Sequence, residues 1–268
     1  MERARGGDAG ALDELLKLLQ PQIYRFGMKM CRHPEDAEEV LQDTMLTIAH
    51  SHGDFRGASS FSTWLYTIAR SFCIKKRRKS KFAPEIQESL DTLDVRASTA
   101  LESTELDPHA QAESRELWQG VQAAVDALDP AHREVLLLRD VEGLTAKEVA
   151  EVLGVGVAAV KSRLHRARAS VRAQLAGAPS KLDSGCPDIR AIFSQHLEGD
   201  LPSDVCATMD AHVASCPACA SECEGLKRTL DLCRSTPCAA LPGECRERVD
   251  AAIRKTLDEL TGQGSRGK

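Results

Sequence analysis

The chain has 268 residues, enough for two or three small domains, and 42% of them are hydrophobic although only 4% are aromatic. The net charge of −5 is unusual for a nucleic-acid binder, but the charge is segregated: residues 75–81 hold six basic residues and no acidic one. Local patches decide phosphate binding, so nucleic acid is not excluded as a partner. No N-terminal stretch resembles a signal peptide and no run of 18 apolar residues could span a membrane, so we expect a cytoplasmic protein.

The first 80 residues predict a bundle of amphipathic helices. Apolar side chains recur at helical spacing in residues 12–19, 40–48 and 64–72, while alternating Val and Ile over strand lengths is scarce. Pro34 opens an acidic helix, and a loop over Gly53–Ser60 leads into a helix with a strongly basic end. We therefore predict an all-α protein whose first domain covers residues 8–80.

Residues 81–111 predict a flexible linker, because they are rich in acidic and hydroxyl residues and show little periodicity. Four more helices are predicted over 112–176, which form a second helical domain. Asp129 is a typical N-cap before a proline, and Thr145 and Glu148 match a capping box.

The stretch Leu144–Arg168 has the spacing of a DNA-binding helix-turn-helix. Gly154 permits the positive φ that the turn needs, and the second helix is basic. Such a helix suits phosphates and guanine edges in a major groove, although a solvated basic helix in an ordinary bundle is the alternative. The candidate DNA contacts on it are Lys161, Ser162, Arg163, His165, Arg166 and Arg168.

The ten cysteines are distributed unevenly. Eight of them fall between residues 186 and 245, and disulfides are rare in the cytoplasm, so the cluster needs another explanation. Three cysteines and one histidine follow a Cys–x25–His–x3–Cys–x2–Cys spacing, which is a full tetrahedral ligand set for zinc. We expect a small helical metal-binding domain over 185–246 and a terminal helix and tail over 247–268. The predicted zinc ligands are Cys186, His212, Cys216 and Cys219.

The surplus thiols exceed what one zinc ion needs. Soft thiolates favour copper(I), zinc or cadmium, so copper or cadmium is a candidate for a sensed metal. The candidate additional ligands are Cys206, Cys223, Cys233 and Cys238, and Cys245 is a further surplus cysteine.

Two blocks of the chain resemble one family. The segments Val125–Arg139, Gly143–Val155 and Val160–Arg168 resemble region 4 of the extracytoplasmic-function (ECF) sigma factors of RNA polymerase. Upstream, Pro34–Thr44 resembles their region 2.2, and Phe55–Arg70 resembles regions 2.3 and 2.4. The resemblance implies a promoter-recognising initiation factor, not an enzyme, whose partners are core RNA polymerase and promoter DNA.

The resemblance also implies roles for particular residues. Region 2.2 of the family docks on the β′ clamp of the polymerase, and here it would use Asp36, Glu39, Gln42 and Asp43. Regions 2.3 and 2.4 melt the −10 element, which implies DNA contacts by Arg56, Lys75, Lys76, Arg77, Arg78 and Lys79. Region 4 reads the −35 element beside the β flap. Gly156 stands where the family has a capping Ser or Pro, so the promoter preference is not transferable.

The cysteine-rich part is similar to the zinc-binding anti-sigma fold, whose helices wrap a sigma factor. Fused sigma factors of this kind, the CorE type, are metal-dependent, which implies control in cis without a separate anti-sigma factor. Whether the domain inhibits or activates stays open. Three alternatives remain: a thiol-redox-sensing sigma factor, a helix-turn-helix regulator that is no sigma factor, and a thiol oxidoreductase using Cys216 and Cys219.

Overall fold

The computed structural model of the chain describes residues 8–55, 57, 59–82, 119–176, 185–235 and 240–264. Every regular element in these ranges is helical, which confirms the all-α prediction. The predicted linker lies outside the described residues except for its first two, which extend a helix. The described chain divides into two compact units, the first formed by 8–82 with 240–264 and the second by 119–176 with 185–235. None of the described helices is long and apolar enough to cross a membrane.

Among the described residues are a short 3-10 helix over His52–Asp54 and eleven α-helices, numbered here in chain order. They are α1 (Ala9–Cys31), α2 (Pro34–Ser51), α3 (Phe61–Phe82), α4 (119–126), α5 (Pro130–Leu136), α6 (Ala146–Leu153), α7 (Val157–Ala176), α8 (Ile189–His196), α9 (Ser203–Ser215), α10 (Pro217–Ser235) and α11 (Gly243–Gly264).

The first unit is built on the packing of α1, α2 and α3. Gly27 brings α1 close to α2, because a Cβ atom there would lie 3.2 Å from the Cα atom of Ala37. Phe26 of α1 meets Tyr66 of α3 edge to face, with ring centroids 5.1 Å apart. The apolar stripes expected from the sequence form the core of this bundle; its fully buried members include Leu12, Leu16, Ile23, Leu41, Met45, Ile48 and Leu65.

Helix α11 belongs to this first unit, although it follows the cysteine-rich segment in the chain. It buries a stripe of side chains at helical spacing, Cys245, Val249 and Ile253, each at most 1% exposed. The Asp250 carboxylate accepts a hydrogen bond of 2.7 Å from Gln20 of α1. Arg248 forms an ion pair with Glu38 of α2. The sequence expectation had grouped Cys245 with the metal-binding domain, but its side chain packs in the first unit instead.

In the second unit, helices α4 to α7 form the predicted helix-turn-helix and its support. The side chain of Asp129 caps α5 through the amide of Ala131, and Thr145 and Glu148 form the predicted capping box of α6. Gly154 ends α6 with a φ of 66°, as the turn requires. These local predictions are confirmed.

A feature that the sequence did not predict follows α5. Residues Leu137–Val141 continue it as a π-helical turn, and such turns often mark functional positions. The Glu142 amide donates back to the Leu137 carbonyl at 2.9 Å. This turn carries Asp140, which is 2% exposed, into the interior of the unit.

Helices α8, α9 and α10 complete the second unit, and α8 and α10 pack directly on α7. Ile189 and Phe193 of α8 are buried, as are Leu226 and Leu230 of α10. Helix α7 therefore has two covered faces. One packs on the helix-turn-helix core through Val160, Leu164, Ala167 and Val171, and the other faces the cysteine-rich helices.

Candidate metal centre and nucleic-acid interface

The four predicted zinc ligands converge in the second unit. Cys186 precedes α8, His212 lies in the last turn of α9, Cys216 separates α9 from α10, and Cys219 lies in the first turn of α10. All four ligand atoms lie within 4.8 Å of one another. This set is called the quartet below.

The spacing of the donor atoms fits a tetrahedral metal ion. The Sγ atoms of Cys186 and Cys216 are 3.8 Å apart, which matches about 3.8 Å for two zinc–sulfur bonds of about 2.3 Å at a tetrahedral angle. The Nε2 atom of His212 lies 3.2 Å from the Sγ atom of Cys219. That distance is shorter than the roughly 3.5 Å expected for one zinc–sulfur and one zinc–nitrogen bond at a tetrahedral angle. The ligand types and the sulfur–sulfur distance are therefore the observations that suit zinc.

The thiol pKa shifts within the quartet also favour a bound cation. Burial, followed by hydrogen bonding with the Cys186 and Cys216 thiols and charge repulsion from them, raises the pKa of Cys219 to about 12. The pKa of Cys216 is lowered, chiefly because the backbone amide of Cys219 donates to its sulfur. Three thiolates cannot ionise side by side without a cation, so binding of zinc would expel their protons.

The surplus cysteines do not join the quartet where the structure describes them. Cys223 and Cys233 are buried in α10, Cys206 is half-buried in α9, and none of them belongs to the cluster of ligand atoms. Cys238 lies outside the described residues. The sequence expectation that they are additional ligands of a sensed metal stays a prediction.

Arg168 corrects the sequence interpretation of the basic helix. It was expected to contact DNA, but its side chain is only 2% exposed. The guanidinium donates to Asp140 at 2.9 and 2.6 Å and to Glu198 at 2.7 Å, and it also reaches Ser194 of α8. Burial opposes its charge, but the bonds and charges of the two carboxylates outweigh that effect and raise the pKa of Arg168 above its ordinary value. In this conformation Arg168 joins the metal domain to the helix-turn-helix.

A second cation of α7 is also held by the cysteine-rich part. The Lys161 ammonium lies 2.5 Å from the carboxylate of Asp200, which follows α8. Arg139 makes a parallel contact, donating to Glu198 at 2.8 Å. Two acidic residues of one short turn therefore contact three basic side chains, two on α7 and one on the π-helical turn.

The other predicted DNA contacts on α7 are more open. Ser162 and Arg166 are exposed, and Arg163 and His165 are half-buried. Because these four side chains carry no ion pair to Glu198 or Asp200, one part of the predicted DNA surface remains accessible while Lys161 and Arg168 are engaged.

The predicted polymerase-binding residues lie on α2. Glu39 and Gln42 are exposed, and Asp36 and Asp43 are half-buried. Lys76 of α3, predicted to contact DNA, forms an ion pair with Glu39 and lies 3.9 Å from Asp36. Its side chain is only 13% exposed, so in this structure Lys76 neutralises the acidic surface of α2.

The remaining predicted contacts of the first unit lie around the end of α3. Lys75, Arg77 and Arg78 are exposed, whereas Arg56 and the side chain of Lys79 lie outside the described residues. Trp64 is half-buried and clusters with Phe55 and Phe61, with ring centroids 5.4 and 5.9 Å away.

Sequence reasoning missed the acidic partners of α7. The sequence analysis gave Asp140, Glu198 and Asp200 no role as partners of α7, and only the fold places them beside Lys161 and Arg168. The signal that could have found them is the excess of cations on α7, since buried cations need carboxylate partners.

Comparison with known proteins agrees with this architecture. Residues 15–82 match Sigma-70 region 2, residues 118–171 match Sigma-70 region 4, and residues 186–220 match a family described as "Putative zinc-finger". Two matched helical blocks, one of them with a helix-turn-helix, define a sigma-70-type transcription factor.

Related proteins show which family of sigma-70-type factors the chain belongs to. The chain is 27% identical over 178 residues to the ECF RNA polymerase sigma factor SigW of Bacillus subtilis, which covers 65% of this chain and 94% of that protein. It is 32% identical over 163 residues to the ECF RNA polymerase sigma factor SigM of Mycobacterium tuberculosis, covering 61% and 76%. The protein therefore belongs to the ECF sigma factors of RNA polymerase and carries a C-terminal segment of the zinc-finger type.

Among solved structures, the chain is similar to the sigma factor RpoE in complex with the anti-sigma factor NepR from Bartonella quintana. The sequences are 21% identical, the TM-score is 0.47, and the match covers 61% of this chain and 96% of that one.

The quartet generates a first prediction. Replacing Cys219 by Ser removes one of four ligands, so zinc binding should weaken by more than the roughly 10–100-fold typical of losing an outer-shell partner. Metal analysis of the purified chain should show about one zinc per native chain and clearly less for the variant. Cys233→Ala is the matched control, because Cys233 is a buried cysteine outside the quartet, and it should retain its zinc. Equal zinc content in all three proteins would contradict the assignment.

Arg168 generates a second prediction. Arg168→Ala leaves Asp140 and Glu198 without their buried partner, so the free energy of unfolding of the second unit should fall by about 3–5 kcal/mol. Arg166→Ala removes an exposed arginine from the same helix and should change the free energy of unfolding by no more than about 0.5 kcal/mol. Denaturant unfolding followed by circular dichroism measures both. Similar losses for the two variants would show that Arg168 is not a structural ion-pair residue.

Proposed function

We propose that this sigma factor directs RNA polymerase to its promoters in the cytoplasm, and that its metal-binding domain controls that step in cis. The point of control is helix α7, which reads DNA in region 4. The observation that carries the proposal is the pair of contacts from the turn after α8, Glu198 with Arg168 and Asp200 with Lys161.

Electrostatics indicates whether the proposed control is inhibition or activation. DNA binding by a basic helix depends on cations that reach phosphates and release counterions. Asp200 neutralises Lys161, and its carboxylate would repel a phosphate brought to the same place. The described conformation is therefore the one with weaker DNA binding, so we propose that the domain inhibits.

In this proposal the metal holds the turn after α8 in place. When bound, zinc supplies a tetrahedral cross-link between four side chains. Cys186 anchors the start of α8, His212 the end of α9, and Cys216 with Cys219 the start of α10. The turn with Glu198 and Asp200 lies between the first two of these anchors, so an intact centre keeps both carboxylates near α7.

Loss of the centre is the proposed signal. Copper or cadmium competing for the thiolates would change the cross-link, because soft metals prefer sulfur ligands. Oxidation of the thiols would also eject zinc. The alternative of a thiol-redox-sensing sigma factor would therefore use the same part of the fold. In either form the protein is an initiation factor rather than an enzyme, and it needs no separate anti-sigma factor for this control.

Helix α11 offers a second contact between the C-terminal part and a sigma region. It packs on α1 and α2, and Arg248 pairs with Glu38, the residue before Glu39 of the proposed polymerase-binding surface. The exposed Glu39 and Gln42 on α2 also favour a sigma factor over a DNA-bound regulator that never meets polymerase.

Transcription with purified components tests the proposal. Core polymerase, without another sigma factor, is given the chain and a pool of randomised promoter templates, and the transcripts are counted by sequencing. Asp200→Asn frees Lys161 and should raise initiation above that of the native chain. It should also steepen the dependence of duplex-DNA affinity on salt, by about 0.9 in the logarithmic slope for one freed phosphate contact.

Asp204→Asn is the matched control, since it makes the same charge change on exposed α9 without a contact to α7. It should behave as the native chain does. If Asp200→Asn and Asp204→Asn raise initiation equally, the ion pair is not the point of control. If no variant initiates in any metal condition, the sigma function itself is contradicted.

A further inference from the structure

The start of α7 differs in chemistry from the rest of that helix. Residues 156–160 carry no side chain that can donate or accept a hydrogen bond, whereas Lys161 begins the basic part. Within this stretch the apolar side chains of Val157 and Ala158 are exposed. The first turn of the predicted DNA-reading helix is therefore apolar and open to solvent.

The exposure of Val157 is unusual for this protein. It is one of two large hydrophobic side chains that the described part of the chain leaves exposed, at 37%. An isolated exposed apolar side chain needs no explanation by itself, but this one lies within the match to Sigma-70 region 4. Ala158 begins an outward face of α7 that continues through Ser162 and Arg166 at four-residue intervals, and all three are exposed. The apolar positions therefore adjoin the accessible polar DNA contacts of α7.

The fold places these two side chains where a helix-turn-helix meets bases. In that motif the N-terminal residues of the second helix contact base edges in the major groove, and α7 is the second helix after the turn at Gly154. A Cβ atom added at Gly156 would meet nothing within 4 Å, so the space around the start of α7 is open. Val157 and Ala158 are exposed in the same conformation in which Asp200 holds Lys161.

The chemistry of the two side chains limits which base they can recognise. In the major groove hydrogen-bonding groups distinguish guanine, adenine and cytosine, whereas the C5 methyl group of thymine is recognised by apolar contact, for example with alanine. Val157 and Ala158 offer methyl groups and no polar atoms. A purely polar base edge packed against them would lose water without gaining a hydrogen bond, which costs free energy. Thymine is therefore the base that fits them.

We propose that Val157 and Ala158 determine part of the promoter specificity of this sigma factor by packing against thymine methyl groups in the −35 element. Contact with a methyl group requires no charge and no hydrogen bond, so it adds selectivity without adding affinity for phosphates. The proposal depends on duplex DNA binding by region 4 and not on control by the metal-binding domain.

Replacement of thymine by deoxyuridine tests the contact, because it removes the C5 methyl group and leaves base pairing unchanged. Duplexes that the full chain binds are first selected from a randomised pool, and each thymine of a selected duplex is then replaced in turn. For the native chain, replacement at one or two neighbouring positions should weaken binding about four-fold each, which corresponds to about 0.8 kcal/mol for one buried carbon group. Fluorescence anisotropy measures the affinities.

Serine variants assign the contact to its residues. Val157→Ser and Ala158→Ser remove methyl groups at exposed positions without changing the charge, and each should bind the thymine and deoxyuridine duplexes equally well at its own position. Ala173→Ser is the matched control, because it makes the same change at an exposed position of α7 about 22 Å further along the helix. It should keep the four-fold preference. The salt dependence of affinity should be the same in all of these proteins, since no phosphate contact changes.

Three results would overturn the proposal. A selection that enriches thymine at no position, including one that enriches no sequence at all, would contradict it. Native binding that is insensitive to every deoxyuridine replacement would show that no methyl group is contacted. A methyl preference that persists in both Val157→Ser and Ala158→Ser would assign the contact to other residues. These measurements need neither polymerase nor a change of metal, so failure here is distinguishable from failure of the control proposed above.

Discussion

A buried guanidinium must be paired, and that requirement at Arg168 organises the second unit. Isolated charges are too costly to bury, so the side chain stays inside only while Asp140 and Glu198 hold it from two directions. Asp140 comes from the π-helical turn of region 4, and Glu198 comes from the turn after α8. One side chain therefore links the DNA-reading helix to the metal domain, and neither element can move without breaking a charged contact.

The metal centre and this ion-pair network act on the same segment of chain. With a metal bound, the quartet would hold α8, α9 and α10 at their ends, and the ion-pair network holds the turn between α8 and α9 against α7. We propose that a local change in thiolate ligation alters, through this turn, which cations of α7 are free to contact phosphates. In this proposal the zinc-finger segment regulates DNA binding without touching DNA itself.

Much of this fold follows from local sequence. The caps at Asp129 and Thr145, the glycine turn at Gly154 and the ligand spacing of the quartet depend on interactions within a few residues or on ligand chemistry, so they were predictable. The environment of Arg168 was not predictable, because the sequence pattern of a basic helix is the same whether its side chains contact phosphates or carboxylates. Cys245 shows the same limit: closeness along the chain suggested the metal domain, whereas its place in the apolar stripe of α11 puts it in the first unit.

The central claim is that the C-terminal part restrains a competent sigma factor. The most direct measurement compares initiation by core polymerase with the full chain and with a chain ending at Ala176, which keeps regions 2 and 4 but lacks the metal domain and α11. The account predicts that the shortened chain initiates more than the full chain and no longer responds to metal or thiol oxidants. An inactive shortened chain that still binds core polymerase would contradict it and make the C-terminal part an activator.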